Sequence, residues 1–118
     1  MRAPSMKKPE ARNTVGIIGF GQMGRFMAKV LSPAVDVRAF DPRSVVGTDA
    51  GDAVQIVSID QAGRCDIVFL FPPIDRMRDC CLALRRYVAP GAIIVEGCSV
   101  ERSRSAAAAL LRMGVVIL

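Results

Sequence analysis

Apolar positions fall along this chain in two alternating rhythms. Short continuous runs read as strands, and between them apolar residues recur every three or four positions, the spacing of one helix face. Residues 15–19, Val15-Gly16-Ile17-Ile18-Gly19, predict a buried strand running into a glycine turn. Met23, Phe26, Met27, Val30 and Leu31 then fall at i, i+3, i+4, i+7 and i+8 and predict one apolar helix face, which Pro33 ends. Residues 35–40 predict a second strand, closed by Asp41-Pro42. Residues 44–53, with Gly47, Asp49 and Gly51, predict a loop holding one weak turn of helix. A third strand is expected over 54–58 and a fourth over 65–71, stopped by Pro72-Pro73. The run 67–71 is apolar throughout, as a parallel strand covered on both faces should be. Met77, Cys81, Leu84 and Val88 keep helical spacing, and Pro90-Gly91 turns the chain into a fifth strand over 92–96. Ala106, Ala109, Leu110 and Met113 mark a last helix, Gly114 caps it, and 115–118 begins a sixth strand.

Strands alternating with helices at this spacing predict an α/β fold, a doubly wound parallel sheet of about six strands. A chain of 118 residues suits a single domain and buries roughly two-thirds of its unfolded surface. Residues 1–13 are basic and contain proline, and are expected to be a short disordered tail. Residues 14–118 are expected to be the domain.

Gly19-Phe20-Gly21-Gln22-Met23-Gly24 fits G-x-G-x-x-G. Alone the pattern is weak. Here it follows a predicted strand, opens a predicted helix, and is followed by Asp41 at the end of the next strand, 20 residues after Gly21. Together these features point to a Rossmann-type dinucleotide-binding domain. Gly19 permits the tight turn, Gly21 lets a pyrophosphate approach the backbone, and Gly24 lets the helix pack closely on the strand. The N–H groups of the helix start, where Gln22 and Met23 stand, favour phosphate charge. Asp41 suits the adenosine ribose hydroxyls and repels a 2′-phosphate, which places NAD ahead of NADP; Arg43 can pair with that phosphate and keeps NADP open. Pro72 and Pro73 stand at the carboxyl end of the fourth strand, the edge that forms the ligand crevice in such folds. The plainer alternatives are a glycine turn without a ligand, Asp41 as a turn residue before Pro42, and the two prolines as a strand stop.

Composition narrows the partners. The net charge of +5 fits either solvated arginines or attraction for an anion such as a dinucleotide or a carboxylated substrate. The arginines are scattered with no aromatics between them, which argues against nucleic acid. No apolar run approaches the ~20 residues of a membrane helix. Cys65, Cys80, Cys81 and Cys98 form no C-x-x-C pair and the chain has no histidine, which argues against a zinc site. Reduced thiols and a cytoplasmic location are expected, a plastid or other organelle staying open.

The segment from Val15 to Lys29 resembles the opening of prephenate and arogenate dehydrogenases. Similar glycine turns open β-hydroxyacid dehydrogenases and pyrroline-carboxylate reductases. More specific is Gly97-Cys98-Ser99-Val100 after the fifth strand, which is similar to the family's C-S-V-K segment. The resemblance covers 14–118. It implies oxidation of prephenate or arogenate by NAD(P) with loss of carbon dioxide, with Ser99 beside the nicotinamide and the substrate's ring hydroxyl. It also implies a histidine in a following G-T-H-P segment as general base, and a helical domain that completes the substrate site and forms a dimer. This sequence departs from the pattern. Glu101 stands at the family's lysine, helix signals after Asp41 are poor, there is no histidine, and the chain stops at Leu118 where G-T-H-P should follow. The expectation is therefore a cofactor domain, truncated and with little activity alone, since loss of a general base costs ~10²- to 10⁴-fold. The alternatives are the cofactor domain of a β-hydroxyacid-type dehydrogenase and a stand-alone, non-catalytic dinucleotide-binding module. Ser99 then serves as an N-cap of the last helix.

Overall fold

A strand covered on both faces must be apolar at consecutive positions, and Val15, Gly16, Ile17 and Ile18 are all buried. They form the centre of the sheet in a computed structural model, which describes residues 13–51, 53–96 and 116–117. The elements are β1 (Thr14–Ile18), α1 (Gln22–Leu31), β2 (Asp36–Phe40), β3 (Gln55–Ile56), α2 (Ile59–Gly63) and β4 (Ile67–Leu70), followed by a 3₁₀ turn (Ile74–Arg76), α3 (Met77–Leu84), β5 (Ile93–Glu96) and β6 (Val116–Ile117). The strands form one six-stranded sheet in the order β3-β2-β1-β4-β5-β6. Every ladder is parallel, with Val15 opposite both Val37 and Ile67, and Ile67 opposite Ile93. This is the expected α/β sheet. Its order reverses beside β1, where the chain first winds toward β2 and later returns to β4.

Alternation along the strands divides the core in two. Val15, Ile17, Val37, Ala39 and Ile56 face α1, together with Phe20 and Ala28. Ile18, Val68, Leu70 and Ile94 face α2 and α3, where they meet Ala62, Met77, Cys81 and Leu84. Each fully buried aliphatic side chain of this kind contributes about 1.5–3 kcal/mol.

Several expected elements are revised. The segment between the third and fourth strands holds a short helix, α2, where only a connection was expected. Its start, Ser58-Ile-Asp-Gln61, is a capping-box sequence. The Ser58 N–H donates to Gln61 Oε1 at 3.3 Å. The helix is held by small residues. A Cβ on Gly16 would stand 2.0 Å from the Ala62 carbonyl oxygen, and one on Gly63 would meet Leu84 Cδ2 at 2.6 Å. The third strand shrinks from 54–58 to two residues. The 44–53 loop contains no helical turn among its described residues. Asp49 instead forms an antiparallel bridge with Gln55. The fourth helix-spaced residue, Val88, is buried but lies beyond the end of α3.

The largest correction concerns α1. The residues of its predicted apolar face are mostly outside: Met23, Phe26 and Val30 are 54%, 60% and 55% exposed, and Met27 and Leu31 are partly covered. Its buried residues are Gly24 and Ala28. The helix lies too near the sheet for larger ones, because a Cβ on Gly24 would sit 2.2 Å from the Gly19 carbonyl oxygen and 3.2 Å from Ile17 Cγ2. The expected tail over 1–13, apart from Asn13, and the expected helix around 106–113 with its Gly114 cap lie outside the described residues. No helix among the described residues is long and apolar enough to cross a membrane.

Candidate functional site

The glycine turn is fixed from both sides. The Gly19 N–H donates to the Phe40 carbonyl at the end of β2 (2.8 Å), and the Phe71 N–H donates to the Ile18 carbonyl (2.7 Å). Gly19 has φ +97°, a conformation open to glycine, and its missing Cβ would lie 2.5 Å from the Phe71 carbonyl oxygen. This turn therefore needs glycine twice over, for its dihedral and for its closeness to the end of β4. Gly21 differs, because a Cβ there would meet no described residue within 4 Å. Its bareness answers to no described neighbour and leaves room for a ligand to reach the backbone. The first in-helix hydrogen bond of α1 runs from the Arg25 N–H to the Gly21 carbonyl at 2.9 Å. The N–H groups of Gln22, Met23 and Gly24 precede that ladder and have no intrahelical acceptor.

Phe20 belongs to the site through its backbone. Its ring is buried in the core facing α1, with the Arg25 guanidinium 4.6 Å above it. Its N–H donates to Asp41 Oδ2 at 2.8 Å. Asp41, only 5% exposed, is the one buried charged residue in the described core. Its Oδ1 also accepts from the Arg43 N–H at 2.9 Å and from Arg43 Nε at 3.2 Å, and its Oδ2 accepts from Arg43 Nη2 at 3.3 Å. Burial works against the Asp41 charge, but the bonds from Arg43 and Phe20 outweigh it and hold the carboxyl below its ordinary value. The hydrogen bond and the charge of Asp41 raise Arg43 in turn.

Beside this turn lies a cleft of about 580 Å³ at the carboxyl edge of the sheet. Its walls bring together Gly19, Asp41, Arg43, Pro72 and Pro73, all singled out from the sequence. Gly21, Gln22, Met23 and Gly24 form the adjoining turn and helix start. Ser99 lies outside the described residues. The sequence reading missed Phe40, Pro42, Ile59, Arg76, Asp79, Cys80 and Ala83, which complete the walls. Of these, Arg76 stands three residues beyond the Pro72-Pro73 strand stop, where from sequence alone it looks like any solvated cation. Ile59 and Ala83 carried no signal, because α2 and the turn of α3 around them bring them together only in the folded chain.

A parallel sheet in this order, with a glycine turn at the point of reversal and a cleft over its carboxyl edge, defines the Rossmann-type fold. No protein-family model matches the chain, and no curated protein is significantly similar to it in sequence. Solved structures do match its fold. A D-2-hydroxyisocaproate dehydrogenase shares 22% identity over 88% of this chain and 33% of that one, with a TM-score of 0.68. An NAD-dependent formate dehydrogenase from Staphylococcus aureus, in complex with NAD, shares 21% over 88% and 32%, with a TM-score of 0.69. A putative oxidoreductase from Mycobacterium avium 104 shares 22% over 87% and 39%, with a TM-score of 0.72. The chain thus spans about a third to two-fifths of the length of these structures. The likeness is one of fold, and it does not single out the prephenate type.

Proposed function

We propose that this chain is the cofactor-binding domain of a dehydrogenase that uses a nicotinamide dinucleotide, with the adenosine half of the cofactor in the carboxyl-edge cleft. The observation that carries this reading is Gly21: the one glycine of the motif whose bareness no described neighbour requires stands at the head of α1, directly before N–H groups that have no intrahelical acceptor. The pyrophosphate would lie against Gly21 and the N–H groups of Gln22, Met23 and Gly24, with the helix dipole favouring its charge. Gly19 and Gly24 would hold the turn, Phe20 would brace it through Asp41, and Asp41, Arg43, Pro72 and Pro73 would wall the adenosine. The cofactor, when bound, supplies the acceptor or donor of a hydride. This chain's residues bind and orient it.

Within that class we favour prephenate or arogenate as the substrate, on the strength of the Gly97-Cys98-Ser99-Val100 segment directly after β5. Ser99 is the residue assigned to the nicotinamide end. A second reading, a dehydrogenase of 2-hydroxy acids, is supported by the names of the matching structures. The chain has no histidine to match the general base that the prephenate and arogenate resemblance implies.

Titration of the chain with NADH and NADPH, read by nicotinamide fluorescence, is expected to show saturable binding that Gly21→Val abolishes. Absence of binding to both overturns the reading. Turnover with prephenate or arogenate supports the first substrate class, turnover with 2-hydroxy acids the second, and binding without turnover a non-catalytic module.

A further inference from the structure

The sequence places NAD ahead of NADP because a bare aspartate at the end of β2 attracts ribose hydroxyls and repels a phosphate. In the folded chain that aspartate is not bare. A carboxylate has about four lone-pair sites, and Asp41 already receives four N–H donors, one from Phe20 and three from Arg43. Its acceptor capacity is filled before any ribose arrives. Its charge is likewise balanced by the guanidinium 3.2 Å away.

Arg43 is the opposite case. Its side chain is 79% exposed, and two of a guanidinium's five N–H donors face Asp41, which leaves about three for a ligand. Arg76 lines the same cleft and makes no ion pair with another described residue. Asp79 also lines the cleft, so its four charged side chains sum to zero. Selectivity then rests on where unspent groups stand, and the unspent groups that remain beside Asp41 are donors.

Building on the dinucleotide reading above, we propose that the cleft is made for NADP(H). Arg43 and Arg76 form a two-guanidinium site for the ribose 2′-phosphate, and Asp41 is a positioning residue that braces the glycine turn and aims Arg43. Planar guanidinium groups suit a phosphate monoester because they offer paired donors with charge.

The test uses the whole chain and three probes: 5′-AMP, 2′,5′-ADP, which differs from AMP only in the 2′-phosphate, and inorganic phosphate. Calorimetric titration is expected to show 2′,5′-ADP binding at least about ten-fold tighter than AMP, the effect of a charge-assisted pair. Arg43→Ala and Arg76→Ala are each expected to cut that ratio several-fold, and inorganic phosphate at equal concentration is expected not to displace 2′,5′-ADP. The ratio serves as readout because any general loss of fold weakens both nucleotides together. AMP binding as tightly as 2′,5′-ADP, a ratio that survives both substitutions, or displacement by inorganic phosphate overturns the inference and leaves the dinucleotide reading standing. Failure of both nucleotides, and of NADH and NADPH, to bind overturns that reading and this inference with it.

Discussion

The helices α1 and α3 carry apolar residues at the same spacing and use them in opposite ways. In α3 the periodic residues Met77, Cys81 and Leu84 are buried and fill the core between the sheet and α2. In α1 the periodic residues Met23, Phe26 and Val30 stand in solvent, Met27 and Leu31 are only partly covered, and the fully buried positions are Gly24 and Ala28. The difference is distance. α3 packs at a spacing that long side chains fill. α1 is drawn in until its backbone nearly touches the glycine turn, and at Gly24 there is no room for a side chain beneath it. One helix serves the core, and the other trades ordinary packing for the placing of its first N–H groups beside Gly21. Hydrophobic periodicity therefore identifies a helix reliably but names its buried face only when nothing else fixes the helix's height above the sheet.

Three substitutions probe this contrast. The largest effect is expected at the close approach. Gly24→Val puts a branched side chain where even a Cβ meets the Gly19 carbonyl oxygen at 2.2 Å. A loss of about 3 kcal/mol or more is expected, together with loss of dinucleotide binding. Unfolding in urea measures it, and stability unchanged within about 0.5 kcal/mol would show that α1 is free to lift from the sheet. Next, Leu84→Ala is expected to lose about 2–5 kcal/mol, whereas Phe26→Ala, on the exposed stripe, is expected to stay within about 0.5 kcal/mol. Equal losses from the two would mean that the α1 stripe is covered after all.

A smaller loss than at Gly24 or Leu84 is expected at Asp41. Its folded-state pKa lies below the ordinary value of 3.8, so its charged form contributes stability that is present above that value. That stability is lost as pH falls through the lower, folded-state pKa. Asp41→Asn is expected to cost about 1–3 kcal/mol near neutral pH, because it weakens a buried, charge-assisted set of hydrogen bonds. The gap between the two proteins should narrow as pH drops below about 4. Thermal melts across that range check the sign, and a gap that widens in acid would refute the brace.

Much of this was legible in the chain. The strands β1, β2, β4 and β5 and the helices α1 and α3 follow from apolar runs and their period. The Gly19 to Gly24 turn and Asp41 follow from a motif placed between strand and helix. Helix α2 was missed because five residues are too few for a period, although Ser58 and Gln61 marked its start and Gly16 and Gly63 marked what it packs against. Arg76 was missed because a single arginine after a strand stop looks like any solvated cation until the cleft closes around it.

The sequence by itself determined the alternation of strands and helices, the position of the turn and the identity of the groups within it, because these depend on local period, dihedral freedom and chain order. Only the tertiary structure decided which face of α1 is buried, which residues share the cleft and what Asp41 has left to offer a ligand. Those outcomes depend on distances between segments far apart in the chain, and on how many hydrogen bonds a carboxylate has already accepted once those segments meet.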